Sequence, residues 1–203
     1  MGGPAFLFDL DGTLMDSVYH HVLAWQEALA RDGIRLSVWR IHRRIGMSGG
    51  LLANAMLREI GRPVTTEDAA RLRRYHAEAY ATFLDQVRPL PGAIELLAEL
   101  TELEVPWSIA TSGYSESAAS MIEMLGVPEG VPVATRDQVA HAKPDPDLFL
   151  AAAKQLGADV EHSVVVGDSV WDLLAARRAR ALGVRTLSSR MRQSASEICE
   201  QRS

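Results

Sequence analysis

The 203-residue chain is 47% hydrophobic, carries a formal charge of −5 and contains one cysteine. That length can bury a sizeable core and holds one domain, or one domain with a small insert. The charge excludes the basic signature of a nucleic-acid binder, no apolar stretch is long enough to cross a membrane, and the lone Cys199 excludes an internal disulfide. The start, Met1-Gly2-Gly3-Pro4, has neither the basic nor the apolar region of a secretion signal, so a reducing cytoplasm is the expected location.

The first element is the apolar run Ala5 to Phe8, whose lack of polar alternation predicts a strand covered on both faces in a parallel sheet. It opens into Asp9-Leu10-Asp11-Gly12-Thr13-Leu14-Met15-Asp16-Ser17, where Asp9 and Asp11 stand two residues apart and share a side if the chain stays extended. Asp-Gly could instead close a hairpin, but the residues that follow look helical and offer no partner strand. Two carboxylates facing one pocket suit a metal-assisted nucleophile with an acid/base partner.

Helical spacing then predicts helices over Val18 to Arg31, Val38 to Ile45, Gly50 to Ile60 with Ser48 as N-cap, and Glu67 to Gln86 with Thr66 as cap. Trp25, Leu29, Met56, Tyr75 and Phe83 read as the core of this all-helical stretch rather than as a substrate pocket. Residues 16 to 88 carry 11 Arg against 8 acidic residues, a net +3, whereas the remainder is −8. A basic segment beside an acidic one favours anionic ligands near their junction, or is simply a solvated helical face. Pro89-Leu90-Pro91-Gly92 marks the return to the sheet.

Beyond it, helices and short apolar strands alternate. The predicted order is helix Ala93 to Leu103, strand Trp107 to Ala110, helix Glu116 to Leu125, strand Val131 to Ala134 and helix Asp147 to Leu156, with Asp145 as its cap. Strand Ser163 to Val166, helix Val170 to Leu182 and strand Val184 to Leu187 follow. This alternation predicts an α/β fold, a doubly wound, Rossmann-like parallel sheet with an inserted helical domain. The core takes residues 1–16 and 89–203 and the insert 17–88. Ligands of such sheets sit at the carboxyl ends of strands, where the polar clusters fall.

Four such clusters occur in order: Asp9-Leu10-Asp11-Gly12-Thr13, Ile109-Ala110-Thr111-Ser112-Gly113, Ala142-Lys143-Pro144-Asp145-Pro146, and Val166-Gly167-Asp168-Ser169 with Asp172. Singly, the second reads more readily as a cap or turn, the third more readily as a surface loop, and the fourth equally as a helix N-cap. Together, spaced by whole strand and helix units, they resemble the motifs of the haloacid dehalogenase-like hydrolases, over roughly residues 5 to 187.

The resemblance implies a phosphatase acting on a small phosphorylated metabolite. It makes Asp9 the nucleophile that forms an aspartyl-phosphate and Asp11 the general acid and then base. It assigns Mg²⁺ to Asp9, Asp168 and the backbone carbonyl of Asp11. Thr111 and Ser112 would hold phosphoryl oxygens, and Lys143 would neutralise them and steady Asp9. Asp172 would pair with Lys143 or a metal-bound water. Charge counting agrees: Asp9, Asp11, Asp168 and Asp172 against Lys143 leave −3, so the pocket needs a cation before it accepts an anion. Without one, Asp9 or Asp11 should be hard to ionise.

The insert resembles the helical cap of the family's largest cap class. His21 and the loop Arg43 to Gly50 are its expected core-facing parts, and His21 matches a cap-hinge histidine of the β-phosphoglucomutases; on the residues alone it is a helix-surface histidine. Those mutases carry a basic residue after the serine of the cap loop, where this chain has Gly49, with Arg43 and Arg44 as candidate replacements. A phosphosugar mutase is therefore the alternative activity, and a non-catalytic regulator of the same fold a further one. A dehalogenase would lack Asp11. Ser188 to Ser203 is polar, without the strand the family usually adds, so residues beyond about Ser189 are expected to be helical or disordered, and the chain a monomer or weak homodimer protecting a sheet edge.

Overall fold

The structure is a computed structural model that describes residues 3–186. Five strands, β1 (Phe6–Phe8), β2 (Trp107–Ala110), β3 (Val133–Ala134), β4 (Val164–Gly167) and β5 (Leu182–Arg185), form one parallel sheet in the order β3-β2-β1-β4-β5. Central β1 pairs on both sides, Phe6 opposite Trp107 and Val164, which is why its residues are uniformly apolar. Alternation sends Phe8 to one face and Leu7 to the other. Phe8 packs with α5 (Ala93–Glu102) and α6 (Ser115–Met124) through Leu97 and Met121; Leu7 packs with α7 (Asp147–Leu156) and α8 (Val170–Arg178) through Phe149 and Ala175. The doubly wound expectation is met.

Between β1 and β2 lie α1 (Val18–Arg31), α2 (Val38–His42), α3 (Gly49–Glu59) and α4 (Thr66–Ala81). They share an apolar core of their own that includes Val22, Trp25, Leu29, Ile41, Leu52, Met56 and Leu72. Phe83 departs from expectation: it packs on the sheet-side core, as do Ala24, Ala79 and Tyr80. The outgoing and returning chains are tied together, Asp16 N–H to the Arg88 carbonyl and Leu90 N–H to the Leu14 carbonyl, both at 2.8 Å. No helix among the described residues is long and apolar enough to cross a membrane.

Several boundaries correct the sequence reading. Thr65, not Thr66, caps α4, its hydroxyl accepting the Asp68 N–H at 3.0 Å. The helix expected to run to Gln86 stops at Ala81, where Thr82 donates its hydroxyl to the Ala79 carbonyl, and a separate 3₁₀ turn, Leu84–Gln86, follows. The helix expected to reach Ile45 ends at His42. Pro146, not Asp145, occupies the cap position of α7, because the Asp145 carboxylate accepts instead from Arg178 at 2.9 Å.

A further correction is at α8, which ends at Arg178 rather than Leu182. Arg180 takes a left-handed φ of 62°, and the Ala181 N–H closes on the Ala176 carbonyl at 2.9 Å. This is a Schellman stop with arginine where glycine is usual, so the sequence gives little warning. The chain is thereby free to start β5 at Leu182 rather than at Val184. The expectations for the tail beyond Ser189 lie outside the described residues.

Candidate active site

Strand β1 delivers Asp9 at its last ladder position, the Asp9 N–H bonding the Val166 carbonyl at 2.8 Å. The chain then tightens, the Leu14 and Met15 N–H groups both reaching the Leu10 carbonyl at 3.0 Å. Gly12 makes this possible: its φ is +87°, and a Cβ there would lie 2.5 Å from Asp168 Oδ2. A second close approach occurs at the end of β4, where a Cβ on Gly167 would lie 2.4 Å from the Cβ of Asp172. Gly12 lets the carboxylate-bearing loops after β1 and β4 close on each other, and Gly167 lets the first turn of α8 fold back on the end of β4.

Asp9 is buried and bonded to the Lys143 ammonium, which also donates to the Ala110 carbonyl at 2.8 Å. Lys143 has no exposed surface and lies over the Phe149 ring. Its third neighbour is Asp172 Oδ1 at 2.8 Å, an ion contact without hydrogen-bond alignment. The other oxygen of Asp172 accepts the Ser169 N–H at 3.0 Å and the Ser169 hydroxyl, forming the capping box of α8. Asp172 is thus occupied by Lys143 and Ser169, and the N-cap reading of Gly167-Asp168-Ser169 is met, with Asp168 left facing Asp9.

Oxygens of Asp9, Asp168 and Asp172 lie within 4.8 Å of one another. Burial, reinforced by Asp172, pushes Asp168 up to about 7, against the pull of Lys143. Burial likewise pushes Asp9 well above the usual carboxylate range, with Asp172, Asp168 and Asp11 adding to it and Lys143 opposing. Lys143 is also raised, but this keeps it charged: burial alone would discharge it, and Asp172 and Asp9 hold it above the ordinary lysine range. One ammonium cannot balance three crowded carboxylates. An all-oxygen, anionic donor set of this kind fits a hard divalent cation such as Mg²⁺, with Asp9 and Asp168 as the available carboxylates.

Asp11 faces the insert. Its Oδ1 accepts the Ser17 hydroxyl at 2.6 Å and lies 3.2 Å from His21 Nε2. Burial would raise the Asp11 pKa, but the His21 charge and the His21 and Ser17 hydrogen bonds outweigh it and hold the carboxyl below its usual range. The expected split between Asp9 and Asp11 therefore exists, with Asp9 the group that resists ionisation. His21 is no surface residue: its Nδ1 meets His76 Nε2 at 3.1 Å and its ring lies flat on Tyr80, centroids 3.9 Å apart. His76 stacks in turn on Trp25 at 4.3 Å, and burial, then the neighbouring His21, holds its pKa well below the histidine range.

The second motif is placed differently from expectation in detail. Thr111 is fully buried, and its Oγ1 accepts the Gly113 N–H at 2.9 Å. Ser112 donates its hydroxyl to the Gly46 carbonyl at 3.0 Å, joining the strand-end loop to the insert. Arg43 and Arg44 do not reach the site: Arg43 lies over Trp39, and Arg44 is bound to Glu59 and the Arg40 carbonyl.

These groups open on a cavity of about 500 Å³ lined by Asp9, Asp11, His21, Ser112 and Gly113 on one side and by Trp25, Met47, Arg73, His76 and Tyr80 on the other. Trp25 thus serves both the helical core and the cavity. Sequence reasoning missed Arg73, His76 and Tyr80. Their signal was a helical stripe, since 73, 76, 77, 80 and 81 share one face of α4. A more open hollow of about 550 Å³ beside α6 and β3 is bordered by one acid, Glu123, and no cation.

The parallel sheet, the carboxylates that follow β1 and β4, the lysine between β3 and α7, and the cavity above them define the site of an α/β enzyme. A family model described as haloacid dehalogenase-like hydrolase matches residues 4–180. The chain belongs to the haloacid dehalogenase-like hydrolases. It is 37% identical to the probable phosphatase IndB of Dickeya dadantii, over 89% of this chain and 80% of that protein. It is 34% identical to hexitol phosphatase A of Escherichia coli, over 84% of this chain and 76% of that protein. Among solved structures, a hydrolase from Pseudomonas syringae superposes with a TM-score of 0.87 at 50% identity, covering 91% of this chain and 85% of that one.

Proposed function

We propose that the chain is a Mg²⁺-dependent phosphatase that hydrolyses a small phosphomonoester through an aspartyl-phosphate on Asp9. Residues 17–88 act as a cap over a core of 1–16 and 89–203. The observation that carries this reading is the division of labour between two carboxylates on one cavity: Asp9 beside Lys143 and Asp168, and Asp11 held by Ser17 and His21. Relatives named as phosphatases support it.

Asp9, Asp168 and the Asp11 backbone carbonyl would hold Mg²⁺, which would supply the positive charge that lets a carboxylate approach a phosphate. An Asp9 oxygen attacks phosphorus, the new O–P bond forms and the ester O–P bond breaks, with the leaving alkoxide taking, through Asp11, the proton that Asp11 shares with His21 Nε2. Asp11, now a carboxylate, takes a proton from water, whose oxygen attacks the phosphoryl group and returns Asp9 and inorganic phosphate. Lys143 keeps Asp9 oriented, and Asp172 keeps Lys143 in place. Ser112, bonded to Gly46, helps close the cavity against bulk water.

The test is phosphate release from a panel of small phosphomonoesters, with Mg²⁺ and with chelator. Turnover with Mg²⁺ and almost none with chelator is expected; equal rates would overturn the metal assignment, and no release from any ester the phosphatase reading.

A further inference from the structure

We propose that Arg73 selects the substrate of this site by binding an anionic group, a carboxylate or a second phosphate, at the end of the phosphomonoester remote from Asp9. The proposal rests on the phosphatase reading.

Arg73 is the one lysine or arginine that borders the cavity among the described residues. Most arginines of the helical insert are spent on carboxylates: Arg31 on Glu27, Arg40 and Arg44 on Glu59, Arg62 and Arg71 on Asp32, Arg74 on Glu78. Arg73 instead donates Nη1 to a neutral partner, the Tyr114 hydroxyl at 3.2 Å, and its Nε is shielded from solvent with no hydrogen-bond partner. A desolvated N–H on a cation is a costly group to leave unmatched. A carboxylate or phosphate matches it in kind, taking two N–H groups of the planar fork at once. A neutral hydroxyl would take one and leave the charge uncompensated.

The position suits the far end of a substrate. His76, on the same face of α4, reaches His21 and through it Asp11. Arg73 lies three residues before it, about 4.5 Å further along the helix axis. The side chain lies beside the two glycines that open α3, at ordinary contact distance. A Cβ at Gly49 would lie 3.5 Å from Arg73 Cγ, and one at Gly50 would lie 4.0 Å from Nη1. The guanidinium therefore comes to the cavity from α4, across the bare start of α3. Glu116 also borders the cavity, but it is exposed and not ion-paired with Arg73.

The experiment measures binding by calorimetry to the Asp9→Asn chain, which should hold substrate without turning it over, in the presence of Mg²⁺. Three matched three-carbon ligands are compared: 3-phosphoglycerate, propane-1,3-diol bisphosphate and the neutral-tailed glycerol 3-phosphate. At least one anionic tail should bind about 10- to 100-fold more tightly than glycerol 3-phosphate, and which one does identifies the tail. Adding Arg73→Gln should bring that ratio close to one, and Arg73→Lys should restore part of it, which loss of packing alone would not. No preference in the Asp9→Asn chain, including no binding, or a preference that survives Arg73→Gln, overturns the proposal. Phosphate release by the unsubstituted chain is scored separately. Release without a tail preference defeats the Arg73 proposal alone, whereas preference without release from any ester defeats the phosphatase reading.

Discussion

Lys143 and Asp172, both without exposed surface, stand 2.8 Å apart at the centre of the site, with Asp9 on the other side of the same ammonium. The pair links the capping box of α8 to the end of β1, so the geometry of Asp9 depends on a side chain 163 residues away in sequence and touching it only through Lys143. Removing the ammonium leaves two buried carboxylates facing each other. Lys143→Met should cost about 3–5 kcal/mol of stability at pH 7 in addition to activity. Urea denaturation measures it, and the loss should shrink at pH 4, where the carboxylates can protonate. A variant as stable as the parent at pH 7 would contradict the buried-charge account.

Asp168 yields a pH dependence. Its pKa is raised from 3.8 to about 7, so in the metal-free fold it keeps a proton that the unfolded chain has lost. Its contribution is fully present below pH 3.8 and declines as pH rises towards 7. His76 acts in the opposite sense, since its lowered pKa costs stability as pH falls below 6.5. The difference in Tm with and without Mg²⁺ cancels the His76 contribution, because that group is present in both. The difference should grow from pH 5 to pH 8 as protons cease to compete for Asp168 and Asp9. A Mg²⁺ shift independent of pH would count against those ligands.

Asp9→Asn should abolish turnover, because an amide is a poor nucleophile. Asp11→Asn should also cost several orders of magnitude, as loss of a general acid or base alone costs about 10² to 10⁴. Both variants should stay folded: Asp9→Asn removes charge from a repulsive cluster, and Asp11→Asn keeps a side-chain oxygen to accept from Ser17 and His21. Wild-type turnover by Asp9→Asn on the best substrate would disprove the covalent route.

His21 holds the Asp11 carboxyl low, so His21→Gln should raise its pKa. In the second step Asp11 must be free of its proton to activate water. The acid limb of aspartyl-phosphate decay, followed in single turnovers, should therefore move upward by about one pH unit, with about a tenfold slower decay on that limb. An unmoved limb with a uniformly lower rate would mean that His21 only positions the cap.

With β-glucose 1-phosphate and a catalytic bisphosphate, any reaction should release inorganic phosphate. Gly49 offers no side chain after Ser48, and Arg43 and Arg44 are engaged elsewhere. Glucose 6-phosphate accumulating without phosphate release would instead establish a mutase, with Arg73 as the residue holding the distal phosphate.

Much of this was legible without coordinates. The apolar run Ala5 to Phe8, the alternation after Pro91 and the four polar clusters are local patterns, and local patterns determine strands, helices and the ends at which reactive residues emerge. Trp107–Ala110 and Asp147–Leu156 were readable to the residue because strong turn or proline signals bound them. The end of α8 was not, because its left-handed stop is an arginine and its next strand begins with an exposed leucine. Asp9, Asp11 and Asp168 stood out in the sequence because each follows a strand of one sheet, and a parallel sheet gathers such ends at one edge; Lys143, well past β3, was named only through the family resemblance. The other wall of the cavity belongs to the tertiary structure. Whether His21 reaches Asp11, whether Arg73 or Arg44 faces the cavity, and whether Trp25 lines it depend on how α1 and α4 lie over the sheet. That arrangement is set by packing between residues distant in sequence, and no local spacing encodes it.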